Sequence, residues 1–93
     1  MDRPEDFGIT NYKWRGKLLD VDGDVDLSNK ELGKLPFNFG KVSGYFDCSD
    51  NQLETLEGAP KIVKGKILVD DNLISQIYYY INVNQVIDYL MED

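Results

Sequence analysis

Asp20, Asp22, Asp24, Asp26, Ser28 and Glu31 fall on positions 1, 3, 5, 7, 9 and 12 of a calcium-loop template. Oxygen ligands at that spacing can wrap a hard divalent cation. The template also needs glycine at position 6 for its sharp turn, where this chain has Val25, with Gly23 at position 4 instead. The flanks do not read as the two helices of such a loop. Alternation of the acids with Val21, Val25 and Leu27 predicts a half-buried strand. The run is therefore read as a strand rather than as an ion site.

Other chemistry is sparse. Histidine is absent, which removes the commonest general base and the commonest metal ligand. Cys48 is the single cysteine, so no internal disulfide can form. It stands at an inward strand position and reads as a small core residue rather than a nucleophile, with no imidazole to activate it. Tyr12-Lys13-Trp14-Arg15-Gly16-Lys17 mixes aromatic and basic residues, as single-strand nucleic-acid binders do. One such stretch in an acidic chain reads better as packing aromatics with solvated charges. No nucleophile–base pair, phosphate loop or metal-ligand cluster is visible, so the expectation is a non-enzyme without a cofactor.

Net charge is −7 over 93 residues, a length that suggests one domain. An acidic surface argues against direct binding to nucleic acid or anionic membrane, since phosphate binding needs local positive charge. No apolar run approaches the length of a membrane span, and MDRPEDFG lacks the apolar core of a signal peptide. A cytoplasmic protein is the expectation.

The elements that position these residues are set by a repeat. Gly23, Gly44 and Gly65 are spaced by 21 residues. Val25, Phe46 and Ile67 follow in step, then Leu27, Cys48 and Val69. Leu32, Leu53 and Ile74 come next, then Leu35, Leu56 and Ile77. Such a period with apolar residues at fixed offsets predicts a leucine-rich-repeat-like solenoid. Each glycine precedes a strand and serves a positive-φ turn or a close backbone approach. Pro36 breaks any helix in the first unit, Phe37 and Phe39 fill its outer arc, and Val42 leads to the next strand. Asn51 and Asn72 can bond backbone groups where the chain leaves the strand. Lys30 holds that place in the first unit, which predicts a looser turn there, with Asn29 as a substitute.

Alternation then orders the outward residues. Asp24, Tyr45 and Lys66 form one row, Asp26, Asp47 and Leu68 a second, and Ser28, Ser49 and Asp70 a third. Together they make a sheet face of carboxylates with one tyrosine and one leucine. Repeat arrays bind partners on such a face. Tyr78, Tyr79 and Tyr80 are the other candidate, since tyrosine is enriched at interface centres.

The string GYFDCSDNQLETLEGAP, preceded by KLPFNFGKVS, resembles leucine-rich-repeat-like proteins encoded by large tailed bacteriophages. Their longer members repeat units of the form G-D-F-x-C-S-x-N-x-L-x-S-L-E-G-A-P-K-x-V-G. The lead-in VDGDVDLSNKELGKLPFNFGKVSG is similar to their first unit, and the likeness covers about residues 20 to 76. It implies the fold and a phage origin, and attaches no catalytic residue. The chain departs from the pattern by stopping after about three units. In its third unit Val69 replaces the cysteine and no GAP follows.

The expected fold is α+β: a short leucine-rich-repeat-like solenoid with a sheet of three to five strands. Residues 1–19 form an N-terminal cap, 20–77 three repeats and 78–93 a C-terminal capping segment. Val83, Val86, Ile87, Leu90 and Met91 lie on one face of its helix, read over 83–92. The expected function is a non-enzymatic protein-binding module that inhibits or redirects a host bacterial protein by occlusion. An acidic DNA mimic and a virion-associated structural protein are the alternatives. So thin a core also fits a homodimer, paired edge to edge or end to end.

Overall fold

A computed structural model describes residues 2–73. They form strands in two sheets and almost no helix. The strands are β1 (Tyr12–Arg15), β2 (Leu18–Val21), β3 (Val25–Asp26), β4 (Phe39–Val42), β5 (Phe46–Asp47), β6 (Ile62–Val63) and β7 (Ile67–Leu68). The first sheet runs β1-β2-β4-β6 and the second β3-β5-β7. β1 is antiparallel to β2, and every other pairing is parallel.

The parallel registers reproduce the repeat. Val25, Phe46 and Ile67 are Cα partners across the second sheet. Val21, Val42 and Val63 are partners across the first. Where one sheet was expected there are two, because the residues leading into each glycine also pair. Leu19 and Val21 are buried while Asp20 and Asp22 are not, so alternation starts before the corner as well as after it. One irregularity interrupts the first sheet, where Gly40 and Lys41 together face Asp20. The Lys41 N–H displaced by this bulge donates to Asp20 Oδ1 at 2.9 Å.

The two sheets meet at a corner of stacked glycines. Gly23 turns there with φ 133°, a conformation side chains rarely adopt. Gly44 and Gly65 serve a different need. A Cβ on Gly65 would lie 2.7 Å from the carbonyl carbon and oxygen of Gly44. The glycine backbones bond directly, Gly44 N–H to Gly23 O at 2.8 Å and Gly65 N–H to Gly44 O at 2.9 Å. A side chain would push the units apart.

Both sheets turn apolar residues inward. Leu19, Val25, Leu27, Phe39, Phe46, Cys48, Leu53 and Val63 are fully buried. Leu35 and Leu56 are also buried, and Leu32 packs half-buried against the same core. Phe39 is not on the outer arc. It points inward on β4, in a run of edge-to-face rings from Phe7 through Phe37 and Phe39 to Phe46.

The N-terminal residues lie against the first unit. A 3₁₀ turn at Pro4–Phe7 ends on Gly8 at φ 77°. β1 then covers the edge of β2, and Tyr12 Oη donates to Glu5 Oε2 at 2.6 Å. Trp14 reaches Phe37 edge-on. The expected helix over 83–92, together with Ile74, Ile77 and the three tyrosines, lies outside the described residues.

Candidate functional site

The acidic run does structural work. Asp20, Asp22 and Asp24 each accept a hydrogen bond from the residue 21 positions later: Lys41 N–H at 2.9 Å, Ser43 Oγ at 2.9 Å and Tyr45 N–H at 2.9 Å. Ser43 Oγ in turn accepts the Gly23 N–H at 2.7 Å. The spacing that mimics a calcium loop is thus that of β2, the glycine corner and β3, whose carboxylates staple the first unit to the next. The Arg15 guanidinium, 2.8 Å from Asp20, and the Lys41 N–H hold the Asp20 carboxyl below the usual aspartate range.

Asparagine staples the opposite turn. Asn51 is buried, and its Oδ1 accepts the N–H groups of Lys30 at 2.9 Å and Leu32 at 3.0 Å. Its Nδ2 donates to the carbonyls of Leu27, Cys48 and Ser49. Asn72 repeats this one unit on, with Leu53 N–H and the carbonyls of Cys48, Val69 and Asp70. Each asparagine therefore secures the turn of the unit before its own. The first unit needs no asparagine at position 30, and the looser turn expected there is replaced by a turn that Asn51 holds. Asn29 contributes its backbone instead, at φ 54°, matching Asp50 at 56° and Asp71 at 59°.

Cys48 is fully buried, and burial pushes its thiol up to about 12. That is the environment of an inert core thiol.

The outward rows lie on the second sheet. Asp24, Asp26 and Tyr45 are exposed and Asp47 is half-buried, while Lys66, Leu68 and Asp70 are exposed in the third unit. Tyr45 and Leu68 are 36% and 39% exposed, large for apolar side chains beside a packed core. Asp26 and Asp47 each fold one oxygen onto a local serine: Asp26 Oδ1 accepts Ser28 N–H at 3.0 Å and Ser28 Oγ at 2.6 Å, and Asp47 does the same with Ser49. Those bonds fix the carboxylate orientation, and the Ser28 hydroxyl is the leading cause of a lowered Asp26 pKa. Desolvation, then the carboxylates of Asp26, Asp24 and Asp47, raise the Tyr45 phenol above its ordinary value. The rows thus put one phenol inside a negative field. Tyr78, Tyr79 and Tyr80 are outside the described residues.

The sequence reading missed a second surface. The outer face of the first sheet holds a concave groove of about 400 Å³. Two rows cross it at the same period: Asp20, Lys41 and Ile62, then Asp22, Ser43 and Lys64, with Lys13 opposite Asp20 on β1. The signal was present, since these rows also step by 21, but it lies on the far side of the glycine corner from the strands that were read.

Comparison of the chain with protein-family models, curated proteins and solved structures finds no match. Among the described residues no helix is long and apolar enough to cross a membrane.

Proposed function

We propose that the stacked units are a short leucine-rich-repeat-like solenoid acting as a non-enzymatic protein-binding module. Its docking face is the outer face of the second sheet. The observation that carries this reading is Tyr45, exposed and flanked by Asp24, Asp26 and Asp47 on a backbone locked by ladder and staple bonds. A rigid face loses little entropy on binding, and an aromatic among fixed charges suits the centre of an interface. The partner would present a basic patch with a recess for the phenol. On the resemblance to phage leucine-rich-repeat-like proteins, that partner is a host bacterial protein and the action is occlusion of its normal ligand site.

The test is retention of host proteins from lysate by the tagged full chain, compared with Asp26→Asn combined with Asp47→Asn. Asparagine keeps the Oδ1 acceptor for Ser28 and Ser49 while removing the charge. The expected result is one dominant retained protein, lost in the double variant and at raised salt. Undiminished retention by the folded variant would remove this face from the interface.

A further inference from the structure

The groove on the first sheet has a character opposite to that of the rest of the chain. Lys13, Lys41 and Lys64 reach it from β1, from β4 and from just beyond β6. Two aspartates share the surface. Asp20 is offset by a cation, while Asp22 is oriented by neutral donors and keeps its charge, so three lysines face one unpaired carboxylate. Asp20 is ion-paired with Arg15 at 2.8 Å, and Asp22 accepts Ser43 Oγ at 2.9 Å. Lys41 adds weakly to the field on Asp20. Among the described residues the ion pairs are Arg3–Asp6 and Arg15–Asp20, so none of the three lysines is in one. A chain of net charge −7 thus gathers uncommitted cations in one concavity.

The walls of the concavity are largely hydrocarbon. Ile62 is 42% exposed at the position paired with Lys41, with Val21 and Val42 beneath. Lysine stems add apolar surface while their ammonium groups stay in water. About 400 Å³ is in the range of sites that hold a ligand, and the lysines supply the few placed polar groups.

We infer that this groove is a binding site for an acidic peptide segment that carries apolar side chains between its carboxylates. Carboxylates at alternate positions meet Lys13, Lys41 and Lys64, and an intervening apolar side chain covers Ile62. The site is separate from the second-sheet face. It selects the opposite charge, so the two surfaces can engage different segments.

The experiment is titration of the isotope-labelled full chain with a synthetic peptide of alternating glutamate and leucine, followed by amide chemical shifts. A peptide of alternating lysine and leucine is the control. Saturable shifts confined to β1, β2, β4 and β6 are expected. Binding should weaken about tenfold in Lys41→Glu combined with Lys64→Glu. The milder Lys41→Gln with Lys64→Gln should weaken it in the same direction if the reversal perturbs folding. Asp26→Asn with Asp47→Asn should leave it unchanged, which separates this site from the second-sheet face. Absence of saturable binding, equal binding of the basic peptide, or shifts centred on β3, β5 and β7 would overturn the assignment. So would preference of the groove for a single-stranded oligonucleotide.

Discussion

The side chain of Asn51 accepts the backbone N–H of Lys30 at 2.9 Å, although Lys30 holds the same place in the first unit that Asn51 holds in the second. The equivalence in sequence is thus a stacking relation in space. Position 51 serves position 30, and position 72 serves the turn that follows β5.

Asn51→Ala should be among the most damaging single substitutions. It strands the N–H groups of Lys30 and Leu32 and the carbonyl of Leu27, while the Cys48 and Ser49 carbonyls keep Asn72 Nδ2 and the Asn29 N–H as donors. Unsatisfied buried groups cost about 1–3 kcal/mol each, so a loss of about 3 kcal/mol or more is expected in urea unfolding. Lys30→Ala at the equivalent place should change stability by less than about 0.5 kcal/mol. Similar losses for the two would contradict the one-unit offset.

Two glycines should respond in opposite ways to alanine. Gly65→Ala places a methyl group 2.7 Å from the Gly44 carbonyl and 2.8 Å from the Tyr45 nitrogen, with backbone on the other side of the contact. Forced separation should cost about 1–3 kcal/mol. A methyl group added at Gly33 would have nothing within 4 Å, and the φ there is not positive. Gly33→Ala should therefore be neutral or stabilise by about 0.4–1 kcal/mol. Denaturation midpoints of the two variants check this directly.

Acid should act on the carboxylates in two directions. Desolvation first, then the Asp71 carboxyl and the charges of Asp71, Asp47 and Asp70, raise the Asp50 pKa. The folded state therefore binds this proton more readily than the unfolded chain. Its contribution rises as pH falls through the raised value and is complete below the ordinary aspartate value of about 3.9. Asp20 and Asp26 are lowered, so their stabilisation is present above the ordinary value and is lost as pH falls through their folded values. Asp50→Asn should raise stability near neutrality and flatten the pH profile just above the aspartate range. A profile unchanged there would contradict the crowding of these carboxyls.

Native Cys48 should not react with thiol reagents near neutral pH, because it is fully buried and its thiol is pushed up to about 12. Labelling should follow the unfolding transition, which mass spectrometry across a urea series would show. Cys48→Val should be tolerated, since Val69 fills the equivalent place.

Much of the inward set was legible because burial in a strand leaves a period of two and stacking adds a period of 21. Val25, Leu27, Phe46, Cys48 and Ile67 satisfy both, and all are buried. The outward rows follow by alternation, and Asp26, Asp47 and Leu68 are register partners across the second sheet. The acids from Asp20 to Asp26 alternate with buried valines, as their spacing implies, but nothing in that spacing foretells their staple bonds. Phe39 was misplaced because Pro36 and Phe37 beside it suggested an irregular arc rather than a strand.

The sequence by itself determined which residues recur and which side of a strand they take, since both are properties of spacing along one chain. Only the tertiary structure decided that Asn51 bonds the earlier turn, that Gly44 and Gly65 are needed for approach rather than for φ, and that Lys13, Lys41 and Lys64 share a groove. The physical reason is that hydrogen-bond partners and close approaches are set by how the units stack. Side chains bond groups 19 to 24 positions away, and residues as distant in sequence as Lys13 and Lys64 line one groove, so a periodic pattern names the face of each without naming its neighbour.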